Sequence, residues 1–320
     1  MKKLIYLILA VLIVACSSDD SSDNGNDDGG GGNEQSVCNG DNPIYLADNG
    51  VTIKACEFAN VGDTGVFNGV TYTVVDEEML REMVANEIYV ARIATTKVTD
   101  MSEVFSYAFS FNEPIGNWDV SNVTDMGAMF AGSGFNQPIG DWDVSNVTNM
   151  RSMFGGSSFN QPIGNWDVSS VTDMGAMFGD GFSAFNQDIS SWDVSNVTDM
   201  NVMFFNNQAF NQDIGNWDVS SVTDMNNMFA YSSFNQPIGV WDVSSVTYMR
   251  SMFNNSSFNQ PIGNWDVSSV TDMIYMFRGA TFFNQDLSNW SVDGVSQCND
   301  FSDNSPLTEA NTPNFTNCTP

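Results

Sequence analysis

Histidine is absent from the 320-residue chain, and cationic side chains are few. Nine Lys and Arg residues stand against 39 Asp and Glu residues, which gives a net charge of -30. Without histidine, His-based catalytic triads, His general bases and His metal ligands are excluded. Phosphate binding needs a positively charged surface, so nucleic acid is not an expected partner. We therefore predict a protein that is not an enzyme.

Long hydrophobic runs are also scarce, and the clearest one stands at the start. Leu4–Val14 is apolar, follows Lys2 and Lys3, and is too short to span a bilayer as a helix. The run ends in Ile-Val-Ala-Cys16, which resembles the lipobox of bacterial lipoproteins. The resemblance implies that residues 1–15 are a signal peptide and that Cys16 is acylated. The alternative is an ordinary secretory signal in which the cysteine is incidental.

Residues 17–36 contain no apolar side chain and cannot contribute to a core. We predict that 16–36 is an acidic, Gly/Ser-rich tether, averaging roughly 25 Å end to end. Its acidic, Ser-rich start resembles the surface-export signals of some Gram-negative lipoproteins. That resemblance implies a protein anchored in the bacterial cell envelope and exposed on the outer membrane.

Cysteine is missing from the whole middle of the chain. With Cys16 as the lipid site, Cys38 and Cys56 remain before the middle region, and Cys298 and Cys318 remain after it. Four cysteines in an exported protein allow three pairings. The two local pairs are far apart in sequence, so we predict the disulfides Cys38–Cys56 and Cys298–Cys318.

The middle region is a tandem array. All eight tryptophans recur 24 to 26 residues apart within nearly the same sequence. A fixed period of this length is typical of a solenoid, in which neighbouring units stack to bury a continuous core. A β-propeller is excluded because its blades need about 40 residues or more. The tryptophans are Trp118, Trp142, Trp166, Trp192, Trp217, Trp241, Trp265 and Trp290.

Each unit shows two periodicities. Trp142 and Val144 flank Asp143, the alternation of a short strand with one buried face. Further on, Met150 and Met153-Phe154 stand at i, i+3 and i+4, the spacing of an apolar stripe on a helix. We therefore predict a leucine-rich-repeat-like solenoid with a short strand and a helical turn in each coil.

The repeated motif Phe-Asn-Gln-Pro/Asp-Ile-Gly-x-Trp-Asp-Val-Ser-x-Val-Thr-x-Met-x-x-Met-Phe closely resembles the BspA-like repeats of bacterial surface proteins. The resemblance implies a leucine-rich-repeat-like solenoid on a cell surface, associated with adhesion in some members, without known catalytic residues. It covers about residues 98–290. We assign residues 37–97 as an N-terminal cap, 98–290 as the repeats and 291–320 as a C-terminal cap.

Several columns of recurring side chains are candidates for chemistry or for packing. The tryptophans could form a stacking platform for sugars, but their register with Val favours core packing. The fifteen methionines from Met101 to Met276 are expected to fill the core. The Asn that follows the first Phe of each unit is expected to form a buried ladder, as in leucine-rich repeats.

The Asp after each tryptophan is expected to point outward. Three interpretations stay open: hydrogen bonds to the following Ser, binding of a divalent cation such as calcium, or contact with a partner. No EF-hand or glycine-rich calcium repeat is present. The column consists of Asp119, Asp143, Asp167, Asp193, Asp218, Asp242 and Asp266.

The pair of residues between the two methionines differs from unit to unit and is expected to face solvent. We predict a lipid-anchored, cell-surface protein that binds or adheres to an extracellular protein or polysaccharide. The alternatives are a spacer without a specific ligand and, as an outsider, a cell-envelope enzyme. The predicted binding face comprises Arg151, Tyr248, Arg250, Tyr275 and Arg278.

Overall fold

The structure is a computed structural model that describes Cys38, residues 40–180 and residues 183–320. The chain divides into residues 1–33 and 34–320, and all described residues belong to the second unit. The predicted signal peptide, the lipid site at Cys16 and the tether lie outside the described residues. No helix in the described ranges is long and apolar enough to cross a membrane.

Five short strands precede the repeats. β1 (Ile44–Leu46) and β2 (Ile53–Ala55) form an antiparallel two-stranded sheet. β3 (Thr64–Phe67), β4 (Val70–Val74) and β5 (Ile93–Ala94) form a second sheet in the order β3-β4-β5, antiparallel between β3 and β4 and parallel between β4 and β5. These strands bury a small cluster of apolar side chains of their own.

The helix of this region, α1 (Glu77–Ala85), lies between β4 and β5. Asp76 caps its N-terminus by accepting a hydrogen bond from the Met79 backbone N–H at 2.9 Å. The helix buries Leu80, which belongs to the same apolar core as the repeats. This end piece is therefore continuous with the array rather than an independent body.

The predicted helical turn in each coil is wrong, and with it the leucine-rich-repeat-like solenoid. Among the described residues, α1 is the one helix and the named strands all precede residue 98. From residue 98 to 290 each repeat contributes hydrogen-bonded turns and a single residue in a parallel bridge to the next repeat. The array is a stack of coils built from turns.

Backbone torsion explains why no helix forms. The second residue after the Met that follows each bridge, or after Cys298 in the last case, has a positive φ of 51° to 62°, which is left-handed backbone. A right-handed helix needs φ near -60° at each residue, so one such residue interrupts it. The left-handed residues are Glu103, Ala128, Ser152, Ala176, Val202, Asn227, Ser251, Tyr275 and Asp300.

The hydrogen bonds show the same alternation. The backbone N–H groups of Met126 and Ala128 donate to the carbonyls of Asn149 and Arg151 in the next repeat, at 2.9 and 2.7 Å. The next residue, Met129, donates instead to the carbonyl three residues back in its own repeat, at 3.1 Å. A helix would use the carbonyl four residues back. The i, i+3, i+4 spacing of buried residues here results from consecutive turns.

The predicted strand at the tryptophan is also a turn. Trp142 and Val144 are buried and Asp143 is exposed, so the predicted alternation of faces is confirmed. The Trp142 backbone N–H, however, donates to the carbonyl of Ile139 at 3.2 Å instead of to a neighbouring strand.

The core is a set of continuous columns. Phe130 stacks on Phe154 of the next repeat with ring centroids 5.7 Å apart, and on Phe135 within its own coil at 4.2 Å. The same two contacts recur along the array, and the methionines fill the space beside them, fully buried as predicted. Each ring therefore needs the repeats on both sides of it.

Both predicted disulfides are present. Cys38 pairs with Cys56 in the N-terminal end piece, and Cys298 pairs with Cys318 after the array. Cys298 stands where earlier repeats have a methionine and is fully buried. Beyond it, Phe301 and Phe315 meet edge to face at 5.0 Å and close the end of the core. The disulfide therefore holds the closing segment where a further repeat would otherwise stack.

Candidate binding flank

One side of the array is organised by the residues that form the single parallel bridges. Each is followed by a buried Met, or by Cys298, and then by a pair of residues that differs from repeat to repeat. The prediction that this pair faces solvent is confirmed in part: it holds for Arg250, but it is wrong for Gly127, Gly175, Ala176 and Ser251, which are buried. We call this surface the bridge flank. It comprises the bridge residues Asp100, Asp125, Asn149, Asp173, Asp199, Asp224, Tyr248, Asp272 and Gln297, together with Arg151, Asn201, Asn226, Arg250, Ile274, Tyr275 and Arg278.

A short local turn presents the flank. The Asp173 carboxylate accepts a hydrogen bond from the Gly175 backbone N–H at 2.8 Å, and Asn149 accepts one from Arg151 at 2.9 Å. Asp and Asn side chains commonly bond the backbone two residues ahead in this way. The side chain of the residue that donates this hydrogen bond can then point outward. Arg151 does so, and it reaches the surface as predicted from the sequence.

Arg151 is tied into the array. Its guanidinium donates to Asp199 at 3.2 Å and to Asn201 at 3.1 Å, and lies 3.5 Å from Asp173. These acceptors belong to the next two repeats. No signal in the sequence indicated them, because they lie 22 to 50 residues further along the chain.

Burial changes the acidity of two carboxyl groups near Arg151. Desolvation, reinforced by the neighbouring charge of Asp199, raises the pKa of Asp173 and of Asp224. Hydrogen bonds from the backbone and the charge of Arg151 oppose this without cancelling it. Ionised carboxylates in the middle of the flank therefore cost stability.

The other four predicted residues lie together near the C-terminal end. Arg250 approaches Asp272 at 3.8 Å and Arg278 approaches Asp303 at 3.9 Å, and neither guanidinium hydrogen-bonds to a described residue. The Arg278 guanidinium lies 4.9 Å from the centre of the Tyr275 ring. We call these residues the Tyr–Arg patch: Tyr248, Arg250, Tyr275 and Arg278.

The Asp residues after the tryptophans form hydrogen bonds to the following Ser, which is the first of the three interpretations. The Asp218 carboxylate accepts from the Ser220 hydroxyl at 2.6 Å and from the Ser220 backbone N–H at 3.0 Å. Equivalent bonds from the Ser two residues ahead occur along the column. These bonds lower the pKa of Asp167, Asp193, Asp218 and Asp266.

The first member of the column differs from the others. Asp119 is 2% exposed, so the prediction that it points outward is wrong, whereas its counterparts from Asp143 to Asp266 are exposed. Lys54 of β2 lies 3.8 Å from its carboxylate. The N-terminal end piece therefore covers this residue.

A metal site is not preformed along these columns. Within the described ranges, no group of three or more His, Cys, Asp or Glu side chains could hold a metal ion. A calcium ion bound to the Asp column would have at most two such ligands, and water or backbone oxygens would complete its coordination.

The Trp and Asn columns hold neighbouring repeats together. No indole is more than 4% exposed, so core packing is confirmed and the sugar platform is wrong. Each indole N–H donates to a carbonyl of the preceding coil, as Trp166 does to Ile139 at 3.1 Å. The Asn136 side chain accepts from the Asn160 backbone N–H at 2.9 Å and from Gln161 at 3.0 Å. The Asn ladder is therefore present, but the prediction that it is buried is wrong, because its members are half-buried or exposed.

These features define a tandem-repeat protein with a packed core and a polar flank. The chain belongs to the family described as "Mycoplasma protein of unknown function, DUF285", which matches residues 77–183, 157–256 and 216–315. The overlapping matches agree with the tandem repeats of the sequence. No curated protein and no solved structure matches the chain.

Proposed function

We propose that the protein is a lipid-anchored, cell-surface protein that binds a macromolecule, either an extracellular protein or a polysaccharide, through the bridge flank. One observation carries this proposal. The side chains that recur in every repeat pack in the core, bond to the next repeat or bond within their own turn, as those of Asp218 and Ser220 do. Side chains that differ between repeats reach the surface on the bridge flank at Arg151, Tyr248, Arg250, Tyr275 and Arg278.

The shape of the flank supports a large partner. It runs along successive coils, and about eight coils at about 4.8 Å each give a length of roughly 40 Å. An extended, shallow surface suits a polymer or a protein better than a small molecule, which needs a concave site. The resemblance of the repeat motif to BspA-like surface proteins, some of which mediate adhesion, supports the same function.

The proposed anchor rests on Cys16 and the polar segment that follows it. If Cys16 is acylated, metabolic labelling with a fatty-acid analogue marks the wild-type protein and misses Cys16→Ser. Equal labelling of both proteins would show that the chain has no lipid at this position.

Binding is tested with bacteria that display the full-length chain, exposed to labelled polysaccharides and extracellular proteins. We expect saturable binding to at least one of them, absent from bacteria that lack the protein. If no surface is bound above that background, the protein is a spacer, and the binding function is refuted.

A further inference from the structure

The two ends of the bridge flank differ in how their arginines are used. The Arg151 guanidinium donates hydrogen bonds to Asp173 in the next repeat and to Asp199 and Asn201 in the repeat after it. The guanidinium groups of Arg250 and Arg278 lie 3.8 and 3.9 Å from the nearest carboxylates, and neither donates a hydrogen bond to a described residue. A guanidinium has five N–H donors, so these two side chains keep their donors for solvent or for a ligand.

The neighbouring tyrosines add flat apolar faces. Tyr248 is 46% exposed, and the Arg250 and Arg278 side chains are 46% and 44% exposed. The Tyr275 ring lies against the Arg278 guanidinium. A guanidinium stacked on a ring keeps its edge free for in-plane hydrogen bonds to a carboxylate.

The four side chains form one continuous surface. Tyr248 is bridged to Asp272, Asp272 is ion-paired with Arg250, and Tyr275 and Arg278 follow in the same coil as Asp272. The side chains of two consecutive coils, about 4.8 Å apart, therefore supply two guanidinium groups and two phenol rings. This is the chemistry that recognises a carboxylate next to a ring with an apolar face.

We propose that the Tyr–Arg patch binds a polysaccharide built from carboxylate-bearing sugars, such as a uronic acid polymer. The arginines bind the carboxylates, Tyr248 contacts the face of a pyranose ring, and Tyr275 holds the guanidinium of Arg278 in place by stacking on it. This proposal rests on the proposed binding function and narrows it to one class of partner. It also separates Arg151, which stabilises the stack, from the arginines that bind.

The acidic remainder of the array limits where such a polymer binds. The net charge of -30 repels a polyanion at long range. At 0.15 M ionic strength the Debye length is about 8 Å. Repulsion from carboxylates further away than this is largely screened, whereas direct contacts within the patch are not. Affinities are therefore compared at that ionic strength.

The test measures binding of the full-length protein to polygalacturonate and to its methyl ester, in which the same sugars have no charge. We expect saturable binding to polygalacturonate, and binding to the ester that is weaker by about tenfold or more, since hydrogen bonds to charged groups are the stronger ones. Equal binding to both polymers would overturn the proposal.

Variants locate the site. Arg250→Ala with Arg278→Ala should weaken polygalacturonate binding about tenfold or more, and the corresponding double Lys variant should lie between it and the wild type because it loses bidentate geometry alone. Arg92→Ala is the matched control, because this exposed arginine also lies over a tyrosine ring, that of Tyr89, but stands outside the bridge flank; this variant should bind within about twofold of wild type. Circular dichroism confirms that each variant is folded.

The outcomes separate the two proposals. Unchanged binding by the folded double Ala variant would overturn the Tyr–Arg patch while the binding function stands. Binding to another polysaccharide or protein, but not to polygalacturonate, would also overturn the Tyr–Arg patch while the binding function stands. No binding to any polymer or protein would overturn both.

Discussion

At the scale of single residues, the left-handed position between the methionines is the main source of backbone strain in the array. Only glycine, and less often Asn or Asp, adopts this conformation at low cost. Val202 has a φ of 62° there, and a β-branched residue with positive φ is an outlier. The neighbouring repeat has Asn227 at the same position with a φ of 56°.

Exchanging these two residue types tests the strain. Val202→Asn should raise the free energy of unfolding by about 1 kcal/mol, and Asn227→Val should lower it by a similar amount, because the left-handed conformation costs about 1–2 kcal/mol for ordinary residues. Urea unfolding of both variants measures the change. The same sign of effect for the two would show that packing, not backbone strain, determines stability here.

Two carboxylates of one repeat should respond to neutralisation in opposite directions. Burial raises the pKa of Asp224, so its ionised form destabilises the fold at neutral pH, and Asp224→Asn should raise the melting temperature. Hydrogen bonds from Ser220 lower the pKa of Asp218, so Asp218→Asn should lower the melting temperature at neutral pH.

The pH dependence of these effects follows from the same pKa directions. The gain from Asp224→Asn should vanish as the pH falls through the raised pKa toward the ordinary value of 3.8, because wild-type Asp224 is then protonated. The loss from Asp218→Asn should persist to below 3.8. Melting curves between pH 3 and pH 7 provide the check. Equal shifts for both variants at neutral pH would refute the assigned directions.

At the scale of structural elements, the buried indoles link each coil to the one before it. Trp241 donates to the carbonyl of Ile214 at 3.1 Å and stacks on Trp265 with centroids 6.4 Å apart. Trp241→Phe removes the donor and leaves a cavity, so it should cost about 2–4 kcal/mol. Val240→Ala, at an 84% exposed position, should change stability by less than about 0.5 kcal/mol.

Denaturant unfolding of both variants measures this difference. A cost below 1 kcal/mol for Trp241→Phe would mean that the indole N–H contributes little to coupling between coils.

Much of the packing could be predicted from the sequence. The recurrence of Trp, Met and Phe identified the buried columns, and the separation of the cysteines identified the disulfides. The secondary structure could not be predicted from that recurrence, because an i, i+3, i+4 spacing of apolar side chains is shared by a helix and by consecutive turns. The deciding feature is the positive φ at positions such as Ala128 and Val202, where no glycine signals it.

The candidate site was predicted in part. The variation between repeats identified Arg151 and the four residues of the Tyr–Arg patch as surface side chains. It could not distinguish the hydrogen-bonded guanidinium of Arg151 from those of Arg250 and Arg278, which donate no hydrogen bond to a described residue, because that difference depends on acceptors up to 50 residues away. These acceptors lie close to Arg151 because the coils stack on one another.

At the scale of the whole molecule, stability depends on contacts between adjacent coils. The core runs without a break from Val75 to Phe301. In repeat proteins each unit contacts only its neighbours, so a whole unit can be removed if the register is kept. Deleting residues 211–234 joins Phe210 to Asn235 and preserves the order of the motif.

This deletion should give a folded protein with one cooperative unfolding transition and a smaller m-value, because less surface is exposed on unfolding. Deleting residues 211–222 alone breaks the register and should unfold the adjoining coils. Circular dichroism and urea unfolding distinguish the two. If both deletions fold equally well, the stacking contacts do not determine the structure.

The central claim is that the bridge flank binds the partner, and a binding isotherm for two matched variants tests it most directly. One variant replaces Tyr248, Arg250, Tyr275 and Arg278 with Ala. The control replaces four exposed residues that precede tryptophans, Asp141, Asn165, Asn216 and Asn264. On a surface that the wild-type protein binds saturably, we predict that the flank variant loses binding and the control keeps it, with both folded. Retained binding by the flank variant, or equal loss in the two, would contradict the account.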